Sequence, residues 1–174
     1  MTATIRARNL VLARHARAEN DAPSDAAREL SDAGHADAAA MGRWLNESGH
    51  SFDAVVSSTA TRTRQTWRDI ETAGVRAKDV RFDPRIYTAD AGALLEILVE
   101  IPDHVRSVLV IGHAPTIPEL ADLLAEPRTS ERAALDTLRS SFPAGSLAVL
   151  TLTSPWTGLT VGGAALQELV TPRG

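Results

Sequence analysis

The chain has no cysteine in 174 residues, so it can form no disulfide, no thiolate zinc site and no cysteine nucleophile. That is compatible with a cytosol. It also lacks any apolar run near the roughly 20 residues a transmembrane helix needs. The basic N-terminal stretch Met1-Thr-Ala-Thr-Ile-Arg-Ala-Arg8 is followed by no apolar segment of signal-peptide length. The expectation is a cytoplasmic protein that does not engage a membrane. An excess of positive charge is missing too: 18 basic against 22 acidic residues give a net charge of −4. A protein that coats nucleic acid normally carries a basic face, so nucleic acid is not an expected partner. A small basic pocket stays open to it, because a cleft can focus a local field against the net charge. No internal repeat, low-complexity tract or linker occurs either. A chain of 174 residues suits one domain with a real hydrophobic core.

What is present is an alternation of short apolar runs and helical patterns. Leu10 to Ala13 is too short for a helix and shows no polar alternation, so it reads as a strand buried on both faces. Arg17 to Arg28 is polar and alanine-rich, holds Pro23, and reads as a loop lying over the end of that strand. Ser31 can cap a helix running to about Ser48, with Gly49 as its stop. Ala38, Met41, Trp44 and Leu45 form the buried stripe of that helix. Phe52 to Ser57 is the second strand. A helix from Thr61 to about Ala73 buries Thr66, Trp67 and Ile70 and ends at Gly74. Val80 to Phe82 is a short third strand, and Pro84 to Tyr87 a loop. Asp90 caps a helix whose buried face is Leu94, Leu95, Leu98 and Ile101, with Pro102 after its end. Val108 to Ile111 is expected as a central parallel strand. Thr116-Ile-Pro-Glu119 has capping-box spacing and opens a helix with Leu120, Leu123 and Leu124 inward. Another helix spans Ser130 to Leu138. Leu147 to Leu152 and Leu159 to Val161 read as an antiparallel pair around Ser154-Pro-Trp-Thr-Gly158, with an extended tail from Ala165 to Val170. The alternation predicts an α/β fold: a three-layer α/β/α sandwich with a mostly parallel central sheet and helices on both faces.

Three of these strands end in chemistry. The first delivers Arg14 and His15, Val55-Val-Ser-Ser58 runs into Arg62, and Val108-Leu-Val-Ile-Gly-His113 ends in a second histidine. In open α/β sheets, ligands bind outside the carboxyl ends of the strands. Phosphoryl transfer is mainly positioning plus stabilisation of spreading negative charge. Arg14 and Arg62 supply planar forked donors that match phosphate oxygens. A neutral His15 imidazole can form a covalent phosphoryl intermediate. His113, once protonated, is a further donor. The arginines lower its pKa and a bound phosphate dianion raises it, so its charge should follow occupancy. The helix opening near Thr116 could aim its positive end at the anion. His35, His50 and His104 lack partners at metal-ligand spacing and read as solvated. Glu19, Asp21 and Asp25 read as loop charges, any one of which could meet a basic substrate.

Arg14-His15-Ala16 after a strand resembles the signature of the histidine phosphatase (phosphoglycerate-mutase-like) superfamily. Ser57-Ser-Thr-Ala-Thr-Arg-Thr-Arg-Gln-Thr66 is similar to its second-arginine motif, with Arg62 at the matching position. Val110-Ile-Gly-His113 resembles its second-histidine motif. The short length, the stretch Arg28-Glu-Leu-Ser-Asp-Ala-Gly34 and the paired leucines after Asp90 are similar to the SixA-type branch, the small phosphohistidine phosphatases. The resemblance runs from about Arg8 to Trp156. It implies one histidine-phosphatase-like domain over residues 1–174, with His15 phosphorylated and Arg14, Arg62 and His113 completing the phosphate pocket. Arg28, in a loop, is implied as a contact to phosphate or substrate. No metal and no organic cofactor is implied, because the arginines neutralise the charge.

Two positions depart from larger members. Ala16 stands where many have glycine, and Thr59 where many have proline. The general acid is a gap: after the third strand the chain reads Ile86-Tyr-Thr-Ala-Asp90, where Asp90 is either the acid or a helix cap. An imidazole leaving group, whose conjugate acid titrates near ~6.5, needs far less protonation than an alkoxide. The expected function is therefore a metal-independent phosphatase acting on phosphohistidine in a phosphorylated protein. The alternatives are a phosphatase of a small phosphorylated metabolite, a non-catalytic phosphate-binding signalling module, and a metallohydrolase using His15, His113 and an aspartate.

Overall fold

The structure, a computed structural model, describes residues 6–174, so most of the N-terminal stretch weighed above as a leader lies outside the described residues. Strands β1 (Arg8–Arg14), β2 (Phe52–Ser57), β3 (Ala77–Phe82), β4 (Ser107–Gly112), β5 (Leu147–Leu152) and β6 (Ala165–Val170) form one sheet in the order β3-β2-β4-β1-β5-β6. The first four run parallel, and β5 is antiparallel to both its neighbours. The helices are α1 (Asp32–Glu47), α2 (Thr61–Thr72), α3 (Arg85–Thr88), α4 (Ala91–Val99), α5 (Thr116–Leu124) and α6 (Arg132–Ser140). Helices α1 and α2 cover one face of the sheet, while α4, α5 and α6 cover the other. This is the three-layer α/β sandwich expected.

The apolar runs explain the layers. Successive side chains of a strand point to opposite faces. Leu10 and Leu12 therefore join the core under α4, α5 and α6, while Val11 and Ala13 join the core under α1 and α2. All four are fully buried, which is what a strand covered on both sides demands. β4 lies between β2 and β1, the central place its uninterrupted run predicts.

Several expectations change. The Thr116 capping box does not form: Pro115 occupies the N-cap, and the Thr116 hydroxyl donates to the Ala89 carbonyl at 2.7 Å instead. α6 starts two residues later than Ser130, whose hydroxyl accepts from Leu166 N–H at 2.9 Å and so is bound to β6. Leu159 to Val161 forms no strand. Both edges of β5 are taken by β1 and β6, and the 162–164 backbone turns back to the end of α5 through Gly162 N–H to Leu123 and Ala164 N–H to Leu124, each at 3.0 Å. The expected extended tail is β6. Pro84 to Tyr87 is no loop: Asp83 accepts from Arg85 N–H at 3.0 Å and starts α3. His35 is not merely solvated, since its Nδ1 lies 2.6 Å from Asp69 Oδ2 and joins α1 to α2. His50 lies half-buried between the Trp44 and Phe52 rings.

Candidate active site

The carboxyl ends of the four parallel strands meet at one edge of the sheet, and pairing continues past them. His15 N–H donates to Gly112 O at 3.0 Å, Ser58 N–H to Ile111 O at 3.0 Å, and Asp83 N–H to Ser57 O at 2.8 Å. Each reactive side chain thus starts from a fixed backbone. On the other side, Gly145 N–H donates to His15 O at 2.9 Å. Gly145 has φ +83°, a conformation that glycine alone adopts without strain.

The His15 ring is oriented by its own chain. Nδ1 lies 2.7 Å from the Ala16 carbonyl, an oxygen that can only accept, so Nδ1 carries the proton and Nε2 is left with its lone pair. Nε2 faces Arg62, whose Nε–H donates to it at 3.3 Å. Burial, opposed by the bond to Ala16 and reinforced by Arg62, His113 and Arg14, pushes the His15 pKa down to about 3. The ring is neutral at any working pH and fit to act as a nucleophile.

Arg62, in the first turn of α2, is buried and has its fork satisfied by the protein itself. NH1 donates to the Asp25 carbonyl at 2.8 Å, and NH2 lies 3.2 Å from Asp25 Oδ2 and 3.3 Å from His113 Nδ1. His113 in turn places Nε2 2.8 Å from Ser58 Oγ. Accepting from Arg62 at Nδ1 and donating to Ser58 at Nε2 makes this ring neutral as well. Burial first, then Arg62 and Arg14 against an opposing Asp25, pushes it down to about 4. The two histidine rings have centroids 5.4 Å apart. Arg14 reaches in from β1 with NH1 donating to the Phe142 carbonyl at 3.0 Å. Its buried Nε has no hydrogen-bond partner among the described residues. A buried unmade hydrogen bond costs about 1–3 kcal/mol, and an anion oxygen beside it would remove that cost.

The structure therefore brings Arg14, His15, Arg62 and His113 together. Arg28 does not join them: its Nε donates to Glu19 O at 2.7 Å, NH1 lies 3.2 Å from Asp25 Oδ1 and NH2 3.2 Å from Asn20 Oδ1. It braces the loop and Asp25. Asp90 is exposed and caps α4, its Oδ1 accepting from Ala93 N–H at 2.8 Å. Three participants went unread in the sequence. Asp25, which by sequence reads as a loop charge open to a basic substrate, bonds to Arg62 and to the Tyr87 hydroxyl. Tyr87 also sets its ring edge-on to His113. Ser58 fixes the His113 ring. Only Ser58 had a signal, its place directly after a strand. Ala16 is fully buried and its N–H donates to Thr66 Oγ1 at 3.1 Å, which anchors the histidine loop to α2.

Among the described residues, no three His, Cys, Asp or Glu side chains are grouped so as to hold a metal ion, and no helix is long and apolar enough to cross a membrane. A cavity of about 360 Å³ lined by Asp53, Lys78, Arg81 and His104 sits at the opposite end of the parallel strands and contains none of the side chains above.

Comparison with known proteins bears on the family and the fold. The model of the histidine phosphatase superfamily (branch 1) matches residues 10–106. An uncharacterized protein of Mycobacterium tuberculosis is 35% identical over 161 residues, 92% of this chain and 99% of its own length. A solved structure from Nakamurella multipartitia, described as "Putative Phosphohistidine Phosphatase SixA", is 38% identical with a TM-score of 0.84, covering 96% of this chain and 97% of that one. A second, from Agrobacterium tumefaciens and described in the same words, is 28% identical with a TM-score of 0.75, covering 95% and 99%.

Proposed function

The chain belongs to the histidine phosphatase superfamily, in its SixA-type branch, and from that premise we propose that it is a single-domain, metal-independent phosphatase that removes phosphate from phosphohistidine in a protein by way of a phosphorylated His15. The observation that carries the reading is the tautomer of His15. With Nδ1 bound to Ala16 O, the nucleophilic lone pair of Nε2 faces the Arg62 guanidinium, and the buried, unpartnered Nε of Arg14 completes an anion cradle.

In the first step Nε2 attacks phosphorus, a new P–N bond forms on His15, and the P–N bond to the substrate imidazole breaks with its electron pair going to the leaving nitrogen. Arg14 and Arg62 hold the equatorial oxygens, and their charge does not have to reorganise as negative charge spreads. His113 turns from neutral to cationic as the dianion approaches, since a nearby opposite charge favours the charged form. Water then attacks the phosphoenzyme, the P–N bond to His15 breaks, and orthophosphate departs. The carboxylate inventory favours phosphohistidine over esters. Asp90 is engaged as a helix cap, and Asp25 is held well below the usual carboxylate range, at about 2, by Tyr87 and Arg28 first and Arg62 after them. Neither is poised to protonate an alkoxide, whereas an imidazole leaves with little help.

The test is a substrate panel with EDTA present throughout: phosphohistidine peptides, sugar phosphates, and phosphoserine and phosphotyrosine peptides. Phosphohistidine should turn over fastest. Faster hydrolysis of sugar phosphates would move the substrate to a small metabolite, and loss of activity in EDTA would defeat the metal-independent mechanism.

A further inference from the structure

Asp25 enters neither the attack by His15 nor the hydrolysis of the phosphoenzyme, yet it is held firmly beside both. The loop holding it is built for a defined geometry: Ser24 accepts from Ala27 N–H and caps the turn Asp25–Ala27. Three neighbours then aim the carboxylate, with the Tyr87 hydroxyl and Arg62 NH2 on Oδ2 and Arg28 NH1 on Oδ1. Its side chain is 56% exposed, and that of Arg62 behind it 7%. Asp25 therefore stands at the rim of the site, with the phosphate-binding groups beneath. A phosphoryl group bound by Arg62 and facing His15 has its leaving group pointing outward, to this rim. The same phosphoryl oxygens compete with Asp25 for Arg62 NH2, which leaves Oδ2 free to take a new partner. Held anionic by its neighbours, the carboxylate has no proton to give and can only accept.

We infer that Asp25 accepts a hydrogen bond from the distal ring N–H of the substrate's phosphoimidazole, holds that ring as an imidazolium during attack, and so selects phosphohistidine over phosphate esters. The inference rests on the phosphohistidine reading of the preceding subsection. The proton balance is complete without a general acid. The protonated ring enters as a cation, the electron pair of the breaking P–N bond settles on the proximal nitrogen, and neutral imidazole leaves with its distal N–H intact. The carboxylate never takes the proton, which would force out an imidazolate. An ester oxygen offers no N–H to Asp25 and gains nothing from it.

The experiment compares wild-type protein with Asp25→Asn and Tyr87→Phe on a phosphohistidine peptide and on p-nitrophenyl phosphate, across about pH 5 to 9. The ratio of kcat/KM on the peptide to kcat/KM on the aryl phosphate should fall on the order of ten- to a hundredfold in Asp25→Asn, the scale of one lost hydrogen bond to a charged group. Tyr87→Phe, which only loosens the aim of the carboxylate, should lower the ratio less. Charge supports a second readout. The groups facing the bound ring are Asp25, Arg28, Arg62, Tyr87 and His113, and Asp25 is the anion among them. An adjacent anion raises the pKa of a cationic ring, so the alkaline fall in peptide turnover should come at lower pH in Asp25→Asn, with no such shift on the aryl phosphate. Equal losses on both substrates, or an unchanged ratio and pH limb, would overturn the inference and reduce Asp25 to a brace for Arg62. A wild-type protein that hydrolyses the aryl phosphate but never the peptide would instead sink the substrate reading itself, and this inference with it.

Discussion

Which nitrogen carries the proton decides what each histidine can do. His15→Ala should abolish both turnover and phosphoenzyme labelling; a label that survives would place the nucleophile elsewhere. Arg62→Ala should remove about 2.7–4 kcal/mol of transition-state stabilisation if it acts as one preorganised donor, read as a kcat loss on the order of a hundred- to a thousandfold. The buried histidines also make stability depend on pH. Their folded pKa values, about 3 for His15 and about 4 for His113, lie below the ordinary 6.5. Between those values the unfolded chain binds more protons than the folded one, so stability falls as pH drops from about 6.5 toward 4. Urea midpoints at several pH values should show this loss before the carboxylates titrate, and His15→Gln with His113→Gln should flatten it. These two histidines and their arginines were legible in the sequence because each follows an apolar run that can only be a buried strand. Asp25 and Tyr87 were not, because they meet only after a patternless loop and a four-residue helix fold over the strand ends. Nothing in 62 residues of separation announces that pair.

Among the elements, α1 shows how local rules and packing divide the labour. Ser31 caps it as its sequence predicts, accepting from Gly34 N–H at 3.0 Å, and Ser31→Ala should cost about 1 kcal/mol. Gly34 carries a requirement that no helix rule contains. A Cβ there would lie 1.8 Å from the carbonyl oxygen of Arg17, two residues after His15. Backbone cannot yield as a flexible side chain does, so Gly34→Ala should destabilise at or above the about 1–3 kcal/mol of ordinary overpacking. It should also lower activity by shifting the His15 loop, and unchanged kinetics in the folded variant would show that the loop relaxes independently of α1. Helix and strand identities were readable along most of the chain because each carries its own period. The misreadings cluster where a tertiary bond overrides a local signal: Thr116 reaching Ala89, Ser130 held by β6, and Leu159 drawn to the core beside α5 instead of pairing with β5.

Over the whole molecule, the α1 face of the sheet and the C-terminal segment are linked to the loop after His15 through buried charge. Asp37, fully buried in α1, accepts from Arg17 at 2.6 Å and from Arg173 at 3.1 Å, so the loop after His15 and the segment after β6 share one anchor. Asp37→Asn should cost about 3 kcal/mol, the low end for breaking a buried pair because both arginines stay partly hydrated; a urea titration measures it. The ion pair of Asp25 with Arg62 acts on the same scale of the complete cycle. In the proposed cycle, the carboxylate would be at hand to reclaim the guanidinium each time orthophosphate let go, so the protein would contain its own competitor for the anion it produces. Such a competitor weakens the hold on phosphate in general and so guards against product inhibition in a phosphate-rich solution. Asp25→Asn should be inhibited by orthophosphate at concentrations lower by about tenfold, which makes an enzyme stalled by its own product the cost of losing one exposed carboxylate.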